Sequence, residues 1–330
     1  MSEALLPGGT VTDEVTPHPA SGRLQFLRRL RAQPAALVAA GIVVLLVLAA
    51  LGAPLLTALE GQDPTSYHPH LVDSARGGVP IGHLGGISAH HWLGVEPQTG
   101  RDLFARLVYG ARVSLGVALA ATLVQLLIGL VVGMAAGLGS GWLDQALSRF
   151  TDIFIALPLM IMALAVLAIV PSSVPRPVLV AVIIGLIAWG STAKIVRAHT
   201  ITLKELDHVA AARLSGWSTW HIARRELLPA LAAPVLTYGA LLVPVNITVE
   251  AGLSFLGVGV KPPTPSWGQM ITSANVWYQA APQYLLFPAG ALFVTVLAMT
   301  VLGDGVRTAL DPRAASRLRI GTGRKREAKA

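Results

Sequence analysis

Residues 204–229 read KELDHVAAARLSGWSTWHIARRELLP, a polar island between two long apolar segments. Its residues describe two short helices joined by a turn. The first, about Leu206 to Leu214, is rich in alanine, a strong helix former with little side-chain bulk, and runs into Ser215 and Gly216, where a left-handed residue ends it. Ser218 is placed to cap the second helix, and Pro229 opens the next apolar segment where its missing N–H costs little. A helix lined by Val209, Ala210, Ala211 and Ala212 lets the backbone of another protein approach closely, while Lys204, Asp207, His208 and Arg213 keep the island in water. The stretch reads as a docking knob on a membrane protein. An ordinary amphipathic connecting loop is the alternative that composition alone leaves open.

The rest of the chain supplies the membrane. Of 330 residues, 53% are hydrophobic and 13% charged, and mean hydropathy is +0.63, whereas a soluble domain carries roughly 25% charge. Several uncharged runs reach the ~20 residues that a helix needs to cross a ~30 Å hydrocarbon core, and no alternation of short strands suggests a barrel. The expectation is an all-α polytopic protein with six transmembrane helices. The first occupies the uncharged run Ala35–Leu59, and the next three about Val113–Leu138, Ile153–Val170 and Val178–Ala193. The fifth runs from Ala230 towards Glu250, and the sixth over about Tyr284–Leu302. Prolines between Pro171 and Pro177 separate the third span from the fourth. The first apolar run is longer than the ~7–15 residues of a cleaved signal and reads as a retained anchor.

Charge sets the orientation. The net charge is +8 and the pI near 10.3, yet the basic residues flank apolar spans and form no groove with interleaved aromatics, so nucleic acid is not the expected partner. If the first span enters from the cytoplasm, 19 of the 25 Lys and Arg residues fall inside, with both termini and the island. This divides the chain into an inner tail, 1–34, a transmembrane region, 35–313, and a basic inner tail, 314–330. A long outer loop then covers about 60–110.

That loop holds His68, His70, His83, His90 and His91, whose spacing fits no tight chelating motif and which read as solvated histidines. With no cysteine, disulfides and thiol catalysis are excluded. Gly129, Gly133 and Gly137 stack on one helix face, and helix packing explains them more simply than a pore. Twenty residues beyond Ala230 advance a helix ~30 Å, which puts Glu250 near the outer interface, either as an outer-gate residue or simply solvated there. Trp267, Trp277, Tyr278 and Tyr284 suit an outer aromatic belt.

The run Val209-Ala210-Ala211-Ala212-Arg213-Leu214-Ser215-Gly216, followed by Ile222, Arg224 and Leu228-Pro229, resembles the EAA loop of ABC importer permeases. Glu226 and Ala230 stand where that family often has histidine and asparagine. The stretch from His91 to Leu115 resembles the approach to the second span in dipeptide and oligopeptide permeases, with one extra residue between Gly94 and Gly100 around Glu96. Glu250 to Gly268 is similar to peptide and nickel importer permeases, and Gly303 to Arg313 has a similar ending.

The resemblance implies the type I importer permease fold and a C-type subunit. Its implied partners are a B-type permease, two ABC ATPase subunits and an extracytoplasmic solute-binding protein. Within it, Asp207, Val209, Ala210, Ala211, Ala212, Arg213, Gly216, Ile222 and Pro229 form the ATPase-coupling loop. Glu250 and Trp267 become candidates for the outer gate or binding-protein contact, and peptide the expected solute, with nickel or another small solute as the alternative. ATP and magnesium belong to the partner ATPases, and no cofactor is expected in this chain. No P-loop, HExxH or GxSxG occurs, so the chain reads as a transport subunit driven from outside itself. A secondary transporter would want buried ionisable groups at mid-membrane or matched broken helices. A purely structural anchor would give no reason for the alanine-lined loop.

Overall fold

A computed structural model describes residues 30–171 and 174–310; the remainder of both tails lies outside it. Pro34 starts α1 (Pro34–Leu51), and the chain bends at Gly52 into α2 (Ala53–Glu60). The apolar run expected as one straight span is therefore two pieces. A Cβ on Gly52 would lie 2.9 Å from the Leu48 carbonyl, so glycine permits the turn. Next comes a compact outer segment whose only ladder among the described residues is β1 (Val72–Asp73) against β2 (Val79–Pro80), antiparallel.

Asp102 then caps α3 (Leu103–Leu138), its carboxylate accepting from Ala105 N–H at 2.7 Å. This helix begins well before Val113, the expected start. At 36 residues it measures about 54 Å and projects beyond a ~30 Å core. The third span is α4 (Trp142–Ala156) and α5 (Leu159–Ile169), bent by 81°. The fourth is α6 (Arg176–Ala188) and α7 (Gly190–Lys204), bent by 47°. Pro158 causes the first bend, a break that the apolar composition of 153–170 conceals.

The island forms α8 (Asp207–Leu214) and α9 (Thr219–Ile222). A π turn, Ala223–Leu227, feeds α10 (Leu228–Phe255) without a break at Pro229. The short α11 (Trp267–Ala274) and the long α12 (Pro282–Leu310) complete the chain. Four helices are long and apolar enough to cross a membrane, and six spans result when each bent pair counts as one.

Packing falls into three clusters. Leu103, Leu115, Ile247, Trp267, Met270 and Tyr284 belong to one, and Val117, Leu167, Ile184 and Leu253 to a second. The third, Val196, Val209, Ile222, Leu227, Leu231 and Val235, reaches from the spans into the island and forms the inner core layer. The glycine stripe of α3 faces α7: a Cβ on Gly129, Gly133 or Gly137 would collide with Thr192, with Val196 and the Ala193 carbonyl, or with Thr200.

Candidate functional site

The island is a rigid knob. Lys204 Nζ donates to the Gly137 carbonyl at 2.9 Å, anchoring the end of α7 to the last turn of α3, where a cation also suits the helix dipole. Asp207 stands in the first turn of α8, favoured by the same dipole. Helix α8 closes with Gly216 N–H donating to Arg213 O and Trp217 N–H to Ala212 O, both at 3.1 Å, while Gly216 takes φ +82°. Ser218 Oγ accepts from His221 N–H at 3.3 Å, and the Trp217 and His221 rings meet at 4.4 Å. Sequence reasoning places the turn, the cap and the glycine correctly because all three are local.

Side chains in the expected coupling loop divide into two sets. Val209 is 0% exposed and packs with Ile222 on the inner core layer, and Ala212 leans on the same cluster. These three hold the knob to the bundle. Ala210, Ala211, Arg213, Leu214, Gly216 and Pro229 face outward, Leu214 at 90% exposure beside the exposed Trp220. Of the run Val209–Ala212, Ala210 and Ala211 are thus exposed, and Leu214 extends the apolar part of that face. Glu226, the departure from the resembling loop, faces His208 with Oε2 3.8 Å from Nε2.

Below the knob, two ion pairs tie α4 to α7. Arg197 grips Asp144 through both Nε and Nη2, at 2.6 and 2.7 Å, and Lys194 meets Asp152 at 2.7 Å. Helix α7 is thus fastened to two neighbours, α3 by glycine packing and α4 by charge.

At the end of the bundle away from the knob, the structure corrects several expectations. Glu250 is 0% exposed and accepts hydrogen bonds from Ser114 Oγ and Ser254 Oγ, so it is not solvated at an interface. Ser114 of α3 and the start of α11 pack over it. Trp267 is 1% exposed, its indole donating to the Leu107 carbonyl at 3.1 Å, and Tyr284 is buried too. Of the expected aromatic belt Tyr278 is exposed.

Neither is His91 a solvated histidine. It is buried with Nδ1 2.8 Å from Asp102 Oδ2, and the His68 ring lies 5.4 Å away. Nearby, Glu60 accepts from Trp92 N–H at 2.8 Å. Burial pushes Glu60 up to about 7 and Asp102 up to about 6, and pushes the His91 imidazole down. Glu96 is fully buried between Arg101 and Arg106, at 2.8 and 2.6 Å. Arg106 in turn donates to Pro64 O, Pro263 O and Gln269 Oε1. Among the described residues no three His, Cys, Asp or Glu side chains converge on a metal position.

A bundle of four to six spans carrying a helix–turn–helix knob accords with a transporter permease, and the family matches make it one. Residues 129–316 match the model of the binding-protein-dependent transport system inner membrane component, and residues 24–71 match the N-terminal TM domain of oligopeptide transport permease C. The chain belongs to this family of ABC importer permeases. It is 39% identical over 289 residues to the glutathione transport system permease protein GsiD of Salmonella typhimurium, covering 88% of this chain and 90% of that one. GsiD of Pectobacterium atrosepticum is 35% identical over 290 residues, with the same coverage. A chain of the inward-facing MetNI methionine ABC transporter aligns with 62% of this chain and 95% of its own, at 20% identity and TM-score 0.46.

Proposed function

We propose that this chain is the C-type half of the translocation pathway in an ATP-driven peptide importer and docks an ATPase subunit through the exposed face of α8. The observation that carries the reading is the surface of Ala210, Ala211 and Leu214. It is presented on a turn set by Gly216 and left exposed by the described residues. Small side chains let a partner backbone close on the helix, and the buried Val209 and Ile222 transmit its displacement to α7 and α10.

The chain itself hydrolyses nothing. Energy comes from two ATPase subunits that hold ATP and magnesium, a related B-type permease supplies the other half of the pathway, and an extracytoplasmic binding protein delivers solute. Both termini and the knob lie in the cytoplasm of the bacterial inner membrane, which the distribution of Lys and Arg supports. The membrane region runs over 35–313 between two cytoplasmic tails, with the outer loop over about 60–110. Peptide is the solute class that the relatives' names favour, glutathione being a tripeptide.

Because the chain has no cysteine, orientation is directly testable. A cysteine replacing Leu214 should react with an impermeant maleimide only in opened cells, and one replacing Lys261 in intact cells. The reverse pattern would overturn the topology. In proteoliposomes holding the whole complex, glutathione or dipeptide uptake should need ATP on the ATPase side. Uptake driven by a proton gradient without ATP would instead establish a secondary transporter.

A further inference from the structure

The loop between α10 and α11 is held from beneath by one buried acid. Glu250 Oε2 accepts from Ser114 Oγ–H at 2.8 Å and Oε1 from Ser254 Oγ–H at 2.7 Å. A serine hydroxyl has one hydrogen, and with that hydrogen given to the carboxyl its lone pairs remain for donors. Both are used on backbone: Ser254 Oγ accepts Val260 N–H at 3.0 Å, and Ser114 Oγ accepts Trp267 N–H at 3.2 Å. One side chain thereby sets where the loop folds back and where α11 starts.

The surroundings allow little slack. A Cβ on Gly259 would collide with Ser254 Oγ, and one on Gly268 would lie 2.6 Å from Ala251 Cα. Arg106 adds a hold on Pro263 O at 3.2 Å. Between these fastenings the loop exposes Phe255, Leu256, Lys261, Pro262 and Pro263. A loop ordered in advance loses less entropy when a partner seats on it.

We propose that Glu250 is a positioning residue for coupled import: it touches neither solute nor partner, and it fixes the 255–263 loop in the shape that the loaded binding protein engages. This rests on the permease reading above. Glutamine is the informative replacement, since its amide must turn an N–H towards one serine. That leaves the serine's own hydrogen without its acceptor and loosens the hydroxyl from the backbone N–H it holds.

The test uses the complete complex with accessible partner cysteines removed and a nitroxide on Lys261→Cys or, as control, on Ser140→Cys, an exposed turn position far along the chain from this loop. Glu250→Gln should raise label mobility at 261 and leave it unchanged at 140. In unlabelled complexes, the binding-protein concentration that half-stimulates ATP hydrolysis should rise about tenfold, the equivalent of about one hydrogen bond, with the maximal rate within about twofold of wild type. Ser254→Ala, which frees Val260 and keeps the acid, should move both readouts the same way by less, and it decides the matter if Glu250→Gln does not assemble. Unchanged mobility at 261, or a lower maximal rate at unchanged half-stimulation, would overturn the role of Glu250. A wild-type complex that loaded binding protein fails to stimulate would instead overturn the permease reading, while the label at 261 still reports on Glu250.

Discussion

Gly216 turns the knob, and its φ of +82° lies in the region that side chains with a branched Cβ avoid. Gly216→Val is expected to cost roughly 1–3 kcal/mol locally and to raise amide exchange in α8 and α9 while the spans keep their protection. Unchanged exchange in the knob would contradict the strain. Gly216 is legible in the sequence because a helix end is a local event, read from a few neighbours.

His91 is not legible in this way, since its burial depends on Glu60 and Asp102, which belong to other segments. Those two carboxyls, raised in the fold, bind protons more tightly folded than unfolded. Their stabilisation is complete below the unfolded carboxylate range and is lost as pH rises towards about 6 to 7. His91, lowered, opposes them only near its own unfolded range of about 6.5. Protection of the Trp92 and Ala105 amides, corrected for intrinsic exchange, should therefore fall between about pH 4.5 and 6. A rise over that window would contradict the assignment.

At the scale of elements, periodicity and small residues mark the packing face of α3 but not its partner α7, and breaks inside apolar runs stay hidden. Gly129, Gly133 and Gly137 recur at every fourth position, and one face of α7 receives them. Gly133→Leu should drive the helices apart, lowering the stability of the purified complex by about 1–3 kcal/mol and its thermal midpoint with it. A midpoint equal to wild type would mean that the seam is looser than described. Pro158 and Gly52 bend apolar runs without changing hydropathy, so length and composition alone read each run as straight. Glu250 was misplaced for a related reason. Helical rise locates it along the bilayer normal, but whether water reaches it depends on Ser114 of α3 and the start of α11 packing over it, which are tertiary facts.

For the whole molecule, the sequence carries the class in its motifs. The contacts on which the proposed coupling would draw are visible only in three dimensions. They run from the exposed face of α8, through Val209 and Ile222, into α10 and α7, and from there by the glycine seam and the Asp144–Arg197 and Asp152–Lys194 pairs to α3 and α4. Two of the alanines expected to meet the ATPase do face outward, and the third braces the knob, so a bulky residue at Ala211 obstructs the partner without entering this chain's core. The most direct test of the account is to purify complexes carrying Ala211→Trp and measure ATPase subunits retained per permease together with solute-stimulated hydrolysis. The account predicts an intact permease pair that loses its ATPase subunits or no longer passes the solute signal to them; full retention with normal stimulated hydrolysis would contradict it.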